Sequence, residues 1–491
     1  MGGPLLNTIA QGHAFMQFVD GRAVDALSGE RIDVICPSDG AVFASIPASG
    51  AADVDRAVKS ARKAFDEGPW STMPAVERGR CLTRLYQIVE KNADELAALE
   101  SRDTGKPARQ GRADVTATMR YYEFYGGAAD KVHGDTIPFL EGYTALTLRE
   151  PHGVVAGIIP WNYPMQILSR VVGAALAMGN TLVVKPAEDA SLSTIRIAEL
   201  ALEAGVPPGV FNVITGYGRD AGAALSAHSE IDYVTFTGSP LTGTAIQQAA
   251  AVNNRGVTME LGGKSPQIVF ADADIEAALP VLINAIIQNG GQTCSAGSRV
   301  LIERPIYEQV AAALAERFSR LVAGPHYADL DLGPLINGRQ RDRVANMVAA
   351  AQEAGAQVLA QGTIDPAAPS SGCYHAPVLF GSVDPSIQLA QEEVFGPVLA
   401  LLPFDNEQDA VRIANSTEFG LVAGVWTRDG ARQHRVAKRV RAGQVFVNGY
   451  GAGGGIELPF GGFKKSGHGR EKGFEALFDM SATKTIVFNH Q

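Results

Sequence analysis

The feature that most constrains this chain is a regular alternation of short apolar runs with helical segments between residues 154 and 260. The runs are Val154 to Ile159, Leu182 to Val184, Phe211 to Ile214, Tyr233 to Thr237 and Val257 to Glu260. Such runs suit strands covered on both faces, and spacings of roughly 20 to 30 residues leave room for a helical crossover. Crossovers of that kind are right-handed and build a parallel sheet, so an α/β fold is predicted.

The flanking sequence fills in the organisation. Val54, Val58, Ala61 and Phe65 recur at three- and four-residue spacing, and helical texture continues from about residue 50 to 127. Residues 129 to 150 contain short alternating pieces around Gly142 and predict a projecting hairpin. A second alternating stretch from Ser265 to about Thr427 opens with Pro266 to Phe270 and a long apolar helix from Asp274 to Gln288, and predicts another α/β unit. The Gly-rich segment Asn448 to Gly469 reads as loop, and the tail Ser481 to Phe488 alternates as an edge strand does. A lone terminal strand needs a partner, which the hairpin or a neighbouring subunit would supply.

With 491 residues the chain is too long for one core, and about three packed units are expected at ~150 residues each. Lys plus Arg number 42 against 52 Asp plus Glu, a net charge of -10 with no basic run, which argues against a nucleic-acid partner. Charged residues are only 19%, so a share of surface is expected to lie between subunits or domains. No apolar stretch approaches the ~20 residues that cross a bilayer. The N-terminus MGGPLLNTIA carries neither a signal-peptide pattern nor the Ser or Thr of a myristoylation signal, and FNHQ is no prenylation site. The four cysteines, Cys36, Cys81, Cys294 and Cys373, form no spaced framework, so a cytoplasmic protein with free thiols is expected.

Several positions carry chemistry. The strand Tyr233 to Thr237 runs into Gly238-Ser-Pro-Leu-Thr-Gly243 and then a helix from Thr244 to Ala251. A strand, a glycine turn and a helix N-terminus make an anion site, although an ordinary turn with a Ser cap would look the same. Upstream, Gly216-Tyr-Gly218-Arg-Asp-Ala221 matches a dinucleotide fingerprint, but no acidic residue ends the following strand to take a ribose. Cys294 lies among Gly and Ser at the end of the long helix, where a thiol is accessible and backbone N–H groups can hold an oxyanion. Glu260 ends a buried strand before Leu261-Gly-Gly263, as either a satisfied structural carboxylate or a general base. The nine histidines show no metal-ligand spacing, and no metal is expected.

Seven motifs in order, Pro160-Trp-Asn-Tyr-Pro164, Lys185-Pro-Ala-Glu188, Phe236-Thr-Gly-Ser239, Glu260-Leu-Gly-Gly-Lys264, Gly291-Gln-Thr-Cys294, Glu392-Glu-Val-Phe-Gly-Pro397 and Pro459-Phe-Gly-Gly-Phe-Lys464 with Gly469-Arg-Glu471, resemble the NAD(P)-dependent aldehyde dehydrogenase superfamily. The resemblance implies a Rossmann-type dinucleotide domain (1–128 and 149–262), an α/β catalytic domain (263–478) and a small β oligomerisation flap (129–148 and 479–491). It implies a homodimer or homotetramer acting on a small-molecule aldehyde. By that resemblance Cys294 is the nucleophile that forms a thiohemiacetal and then a thioester. Asn162 and the Cys294 N–H hold the oxyanion, Glu260 activates the deacylating water, and Glu471 matches a glutamate credited with proton relay. For NAD, it places Lys185 and Glu188 at the adenosine ribose, Gly238 and Ser239 at the pyrophosphate, Glu393 at the nicotinamide ribose and Phe395 at its edge. Ile159 and Trp161 line the groove through backbone, Phe236, Leu261 and Gly262 belong to the same set, and Gly218 lies on the adenine side. Glu188 favours NAD, because a carboxylate accepts from a ribose 2′-hydroxyl and repels a 2′-phosphate.

The substrate is read from Tyr163 and Arg170, which a helix starting near Pro164 places on one face. In the family that face walls the substrate tunnel. An arginine there would bind the distal carboxylate of an acidic semialdehyde or stack on an aromatic aldehyde; the alternative is an arginine turned to solvent or paired with a structural carboxylate, and Gln288 and Gly455 stand where such relatives carry a second arginine and a serine. The alternatives are a betaine- or amino-aldehyde dehydrogenase and, in other classes, a thiol-dependent hydrolase or a non-catalytic scaffold.

Overall fold

The computed structural model describes residues 12–451 and 455–491. Residues 1–11, and three residues of the Gly-rich loop, 452–454, lie outside the described residues.

The predicted alternation forms the centre of an eight-stranded sheet, in the order Gly467–His468, Gly256–Glu260, Tyr233–Thr237, Val154–Ile159, Thr181–Pro186, Phe211–Val213, Gln17–Val19 and Arg22–Val24. The five central strands run parallel. Their chain order reverses between Val154–Ile159 and Tyr233–Thr237, and ligands of open α/β sheets bind in the crevice at such a switch point. The motifs at Trp161 and Gly238 leave the sheet from the C-terminal ends of these two strands. The outer members were not legible in the sequence: Gln17–Val19 and Gly467–His468 are three and two residues long and add antiparallel rungs.

A second, seven-stranded sheet carries Arg299–Glu303 at its centre, between Val398–Phe404 and Pro266–Val269. Cys294 precedes the first of these strands and Glu393 the second, so both loops open at the same sheet edge. Helix Ile275–Ile287, capped by Asp274 through the Ala277 N–H (3.2 Å), delivers the chain to the Cys294 loop.

The tail finds its partner within the chain. Ser481–Asn489 pairs antiparallel with Tyr143–Pro151 along nine rungs, and Thr136–Ile137 completes a three-stranded sheet. No helix among the described residues is long and apolar enough to cross a membrane.

Candidate active site

The loop before Cys294 is wound by three successive left-handed residues, Asn289 (φ 51°), Gly290 (φ 62°) and Gly291 (φ 74°). Gly291 is required twice over, because a Cβ there would lie 2.1 Å from the Gly396 carbonyl oxygen. Side chains from other elements then pin the loop. Gln110 Oε1 accepts from the Asn289 N–H (3.0 Å), Asn289 Nδ2 donates to the Asn162 carbonyl (2.8 Å), and Asn162 Nδ2 donates to the Gln292 carbonyl (3.0 Å). Asn162 is thereby fixed beside the Cys294 loop with one amide hydrogen used, and the second remains for an oxyanion.

Cys294 is half-buried against Leu421, Val422 and Phe460, with Phe446 and Tyr450 in the same apolar group. Burial pushes its thiol up to about 12; Arg170 pulls it down, while Glu393 and Glu260 push it further up. Glu260 is buried at the strand end, both carboxylate oxygens without a hydrogen-bond partner among the described residues. Burial and then the charge of Glu471 raise it well above the usual carboxylate range, against the pull of Arg170. Both groups therefore rest in their protonated forms, and Glu260 acts as a base only once it ionises.

Arg170 takes the structural alternative, a pair with a carboxylate. Helix Pro164–Ala177 forms as predicted, but Arg170 is buried in an ion pair with Glu471, over the Phe460 ring at 5.2 Å and 3.5 Å from Thr237 Oγ1. Its charge is neutralised by an acid 301 positions away in sequence, so it presents no free guanidinium to a substrate carboxylate. Tyr163 turns elsewhere, to Thr293 (2.9 Å) and to the Lys106 ammonium, 4.2 Å from its ring centroid.

The cofactor-side residues fall into three groups around the switch point. Lys185 Nζ meets Glu188 Oε2 at 3.0 Å. Burial raises the Glu188 carboxyl, but Lys185 and the Gly218 N–H outweigh it and hold it below its ordinary range. Ser239 caps helix Pro240–Val252 through the Thr242 N–H (3.3 Å), and Gly238 lies against the Phe236 ring. This corrects the expected six-residue phosphate turn: the helix starts at Pro240, so Gly243 is inside it. The upstream fingerprint becomes a helical turn over Gly218–Gly222. At the third group, Glu393 Oε1 accepts from the Gly263 N–H (2.9 Å), and a Cβ on Gly262 would lie 2.4 Å from Glu393 Oε2. Burial lifts Glu393 to about 7. Trp161 and Phe395 meet edge to face at 5.3 Å, Phe395 held left-handed (φ 58°) with its carbonyl bonded by Gln340 Nε2 (2.8 Å). Ile159 is buried at the end of the first central strand, and the Leu261 N–H donates to the Ser466 carbonyl (3.0 Å). Thr293, Tyr450, Lys106 and Gln340 escaped the sequence reading because each acts through partners remote in sequence.

A parallel sheet with an acid-lined switch point and a pinned cysteine loop defines a class of dinucleotide-dependent, thiol-bearing enzymes, and comparison with known proteins sharpens it. The aldehyde dehydrogenase family model matches residues 24–486. An aldehyde dehydrogenase of Emericella nidulans is 42% identical over 473 residues, covering 96% of this chain and 94% of that protein. The solved structure of a candidate aldehyde dehydrogenase from Burkholderia cenocepacia is 60% identical, with TM-score 0.96 over 97% of this chain and 100% of that one. P. syringae AldA indole-3-acetaldehyde dehydrogenase, solved as a cysteine-to-alanine variant in complex with NAD+ and IAA, is 40% identical, with TM-score 0.93 over 96% of each chain. The chain belongs to the aldehyde dehydrogenase family and is an enzyme.

Proposed function

We propose that the chain oxidises an aldehyde to the carboxylic acid with NAD as hydride acceptor, through a covalent adduct on Cys294. What carries the reading is that Cys294, on the loop before a strand of the second sheet, is joined through Gln292 to the fixed Asn162 amide from a strand end of the first, with the unpartnered Glu260 at another strand end of that sheet acting on the Cys294 thiol. Cys294 gives its proton to the ionised form of Glu260, which passes it to solvent, and the sulfur adds to the aldehyde carbon. The second Asn162 amide hydrogen and the Cys294 N–H donate to the alkoxide that results. Bound NAD supplies the acceptor for the departing hydride. Glu260 then takes a proton from water, which attacks the thioester and releases acid and thiol.

The cofactor assignment is supported by a fit between residues and ligand. Glu188 is held ionised where a ribose hydroxyl needs an acceptor, and the N-terminus of Pro240–Val252 provides the dipole for a pyrophosphate. Glu393, which a Cβ on Gly262 would displace, and Phe395, packed edge to face on Trp161, are the groups assigned to the nicotinamide riboside. The solved NAD+ complex of P. syringae AldA agrees with this reading.

For the substrate, the neutralised Arg170 and the group of Phe460, Phe446 and Tyr450 at Cys294 favour an aldehyde with an apolar or aromatic body over an acidic semialdehyde. The eight-stranded sheet, the seven-stranded sheet and the tail sheet support a division into a dinucleotide domain (1–128 and 149–262), a catalytic domain (263–478) and a flap (129–148 and 479–491). Exposed Phe139, Leu140, Val487 and Phe488 on and beside that flap support assembly into a dimer or tetramer. A panel of aliphatic, aromatic, amino and acidic aldehydes, assayed by NADH absorbance, tests the proposal. The expected order places aromatic or apolar aldehydes highest in kcat/KM. A cationic amino-aldehyde at the top would overturn the substrate reading, and no NADH from any aldehyde would overturn the reaction.

A further inference from the structure

Two tyrosines that no step above uses flank the nucleophile. Tyr163, the residue before helix Pro164–Ala177, places its hydroxyl 2.9 Å from Thr293 Oγ1, one residue before Cys294. Tyr450, from the loop after strand Gln444–Val447, donates to the Ser295 carbonyl at 2.5 Å, one residue after it. Both phenols are pushed above their ordinary range by burial, so both keep the proton throughout the working pH range.

The ring of Tyr163 is itself fixed from behind. The Lys106 ammonium sits 4.2 Å from its centroid and is fully buried between Glu100 (3.3 Å) and Asp114. Asp114 takes a further hydrogen bond from Gln166 Nε2 (2.5 Å), on the helix that Tyr163 precedes. A buried, fully paired cation cluster is costly to rearrange, so the ring rests on an unyielding base. Tyr450 rests on the other side, among the apolar side chains that pack on Cys294. Between the two grips the chain turns over residues 293 to 296, closed by the Ala296 N–H on the Thr293 carbonyl (2.9 Å). The Cys294 N–H has no acceptor among the described residues, which leaves it for the oxyanion.

We propose that Tyr163 and Tyr450 are positioning residues that form a yoke on the nucleophile turn, one hydroxyl holding residue 293 and the other residue 295. The yoke keeps the Cys294 sulfur and the Cys294 N–H in register while the substrate carbon changes from trigonal to tetrahedral. Without it the turn rocks about Cys294, and the sulfur and the oxyanion donor no longer address the same carbonyl group. The role rests on Cys294 being the nucleophile.

The test uses the full-length enzyme with saturating NAD and the best aldehyde of the panel, and reads the single-turnover rate of NADH formation. Tyr163→Phe and Thr293→Val each remove the same bond from opposite ends. Each is expected to slow that rate about tenfold or more, since an error of an ångström in attack geometry costs up to about a hundredfold. NAD affinity stays unchanged. The Tyr163→Phe/Thr293→Val double variant is expected to be no slower than either single one, and Thr293→Ser, which restores a hydroxyl, to recover most of the rate. Tyr450→Phe acts on the other side, so with Tyr163→Phe its loss multiplies. Wild-type rates in Tyr163→Phe and Thr293→Val, or a double variant slowed by the product of the two, would overturn the yoke. Cys294→Ala separates the readings: if it still makes NADH the nucleophile assignment fails, whereas if it is dead and the yoke variants run at wild-type rate, only the yoke fails.

Discussion

The Arg170 guanidinium lies against the Glu471 carboxylate, Nε facing Oε2, with neither side chain more than 6% exposed. The pair ties the tunnel-side helix to the segment whose Glu471 exchanges backbone hydrogen bonds with Phe460 (2.6 and 2.7 Å). It also sets the electrostatics of Glu260 and Cys294, since the charge of Arg170 acts on both.

Arg170→Ala leaves Glu471 buried without its counter-ion, and removing one member of a buried pair costs about 3–5 kcal/mol. The variant is expected to unfold at markedly lower denaturant concentration and to change the KM of acidic and neutral aldehydes by the same factor. A selective rise in KM for acidic aldehydes, with stability kept, would restore the substrate-anchor role. Urea titration and paired kinetics give the answer.

Glu471→Gln is expected to move the acid limb of the kcat–pH profile to lower pH. Glu260 works as a base only when deprotonated, so turnover rises as pH passes upward through its pKa. Burial and the Glu471 charge hold that pKa up; the substitution removes the second and leaves Arg170 pulling it down against burial alone. A limb that stays put, or moves upward, would show that Glu260 does not control it.

Glu260→Gln should give a burst of NADH and then stall, because the amide takes no proton from water and the thioester persists. The burst amplitude should approach one equivalent per active site by rapid mixing. An undiminished steady state would remove Glu260 from deacylation.

Preference for NAD over NADP should follow Glu188. A carboxylate about 4 Å from a 2′-phosphate charge costs about 1 kcal/mol in water and more in a groove, close to tenfold in kcat/KM. Glu188→Gln should shrink the ratio of efficiencies with the two cofactors. A ratio the substitution leaves unmoved would place the selectivity elsewhere.

The parallel core was legible because five apolar strands at crossover spacing admit few arrangements, and the pairing of tail with hairpin followed from a strand that needed an edge. Cys294, Glu260 and Asn162 were legible as motif positions. For Arg170 the sequence left a substrate contact and a structural pair both open, because helical periodicity gives the face a residue occupies, not the partner a long flexible side chain reaches, and Glu471 is 301 positions away. Tyr450 and Lys106 carried no local signal, since their roles arise only when remote segments pack. Among the N-terminal strands, His13–Ala14, Gln17–Val19 and Arg22–Val24 were missed because two or three residues show no period.

The antiparallel rungs that join Met259 to His468 and Glu260 to Gly467 stitch the late segment of the chain into the first sheet. Separating the two large sheets would strain those rungs beside Glu260. With the cofactor held as proposed, its exchange would then pass Trp161 and Phe395 by local yielding of side chains. Turnover limited by that exit would slow with viscosity and leave the overall shape of the molecule in solution unchanged.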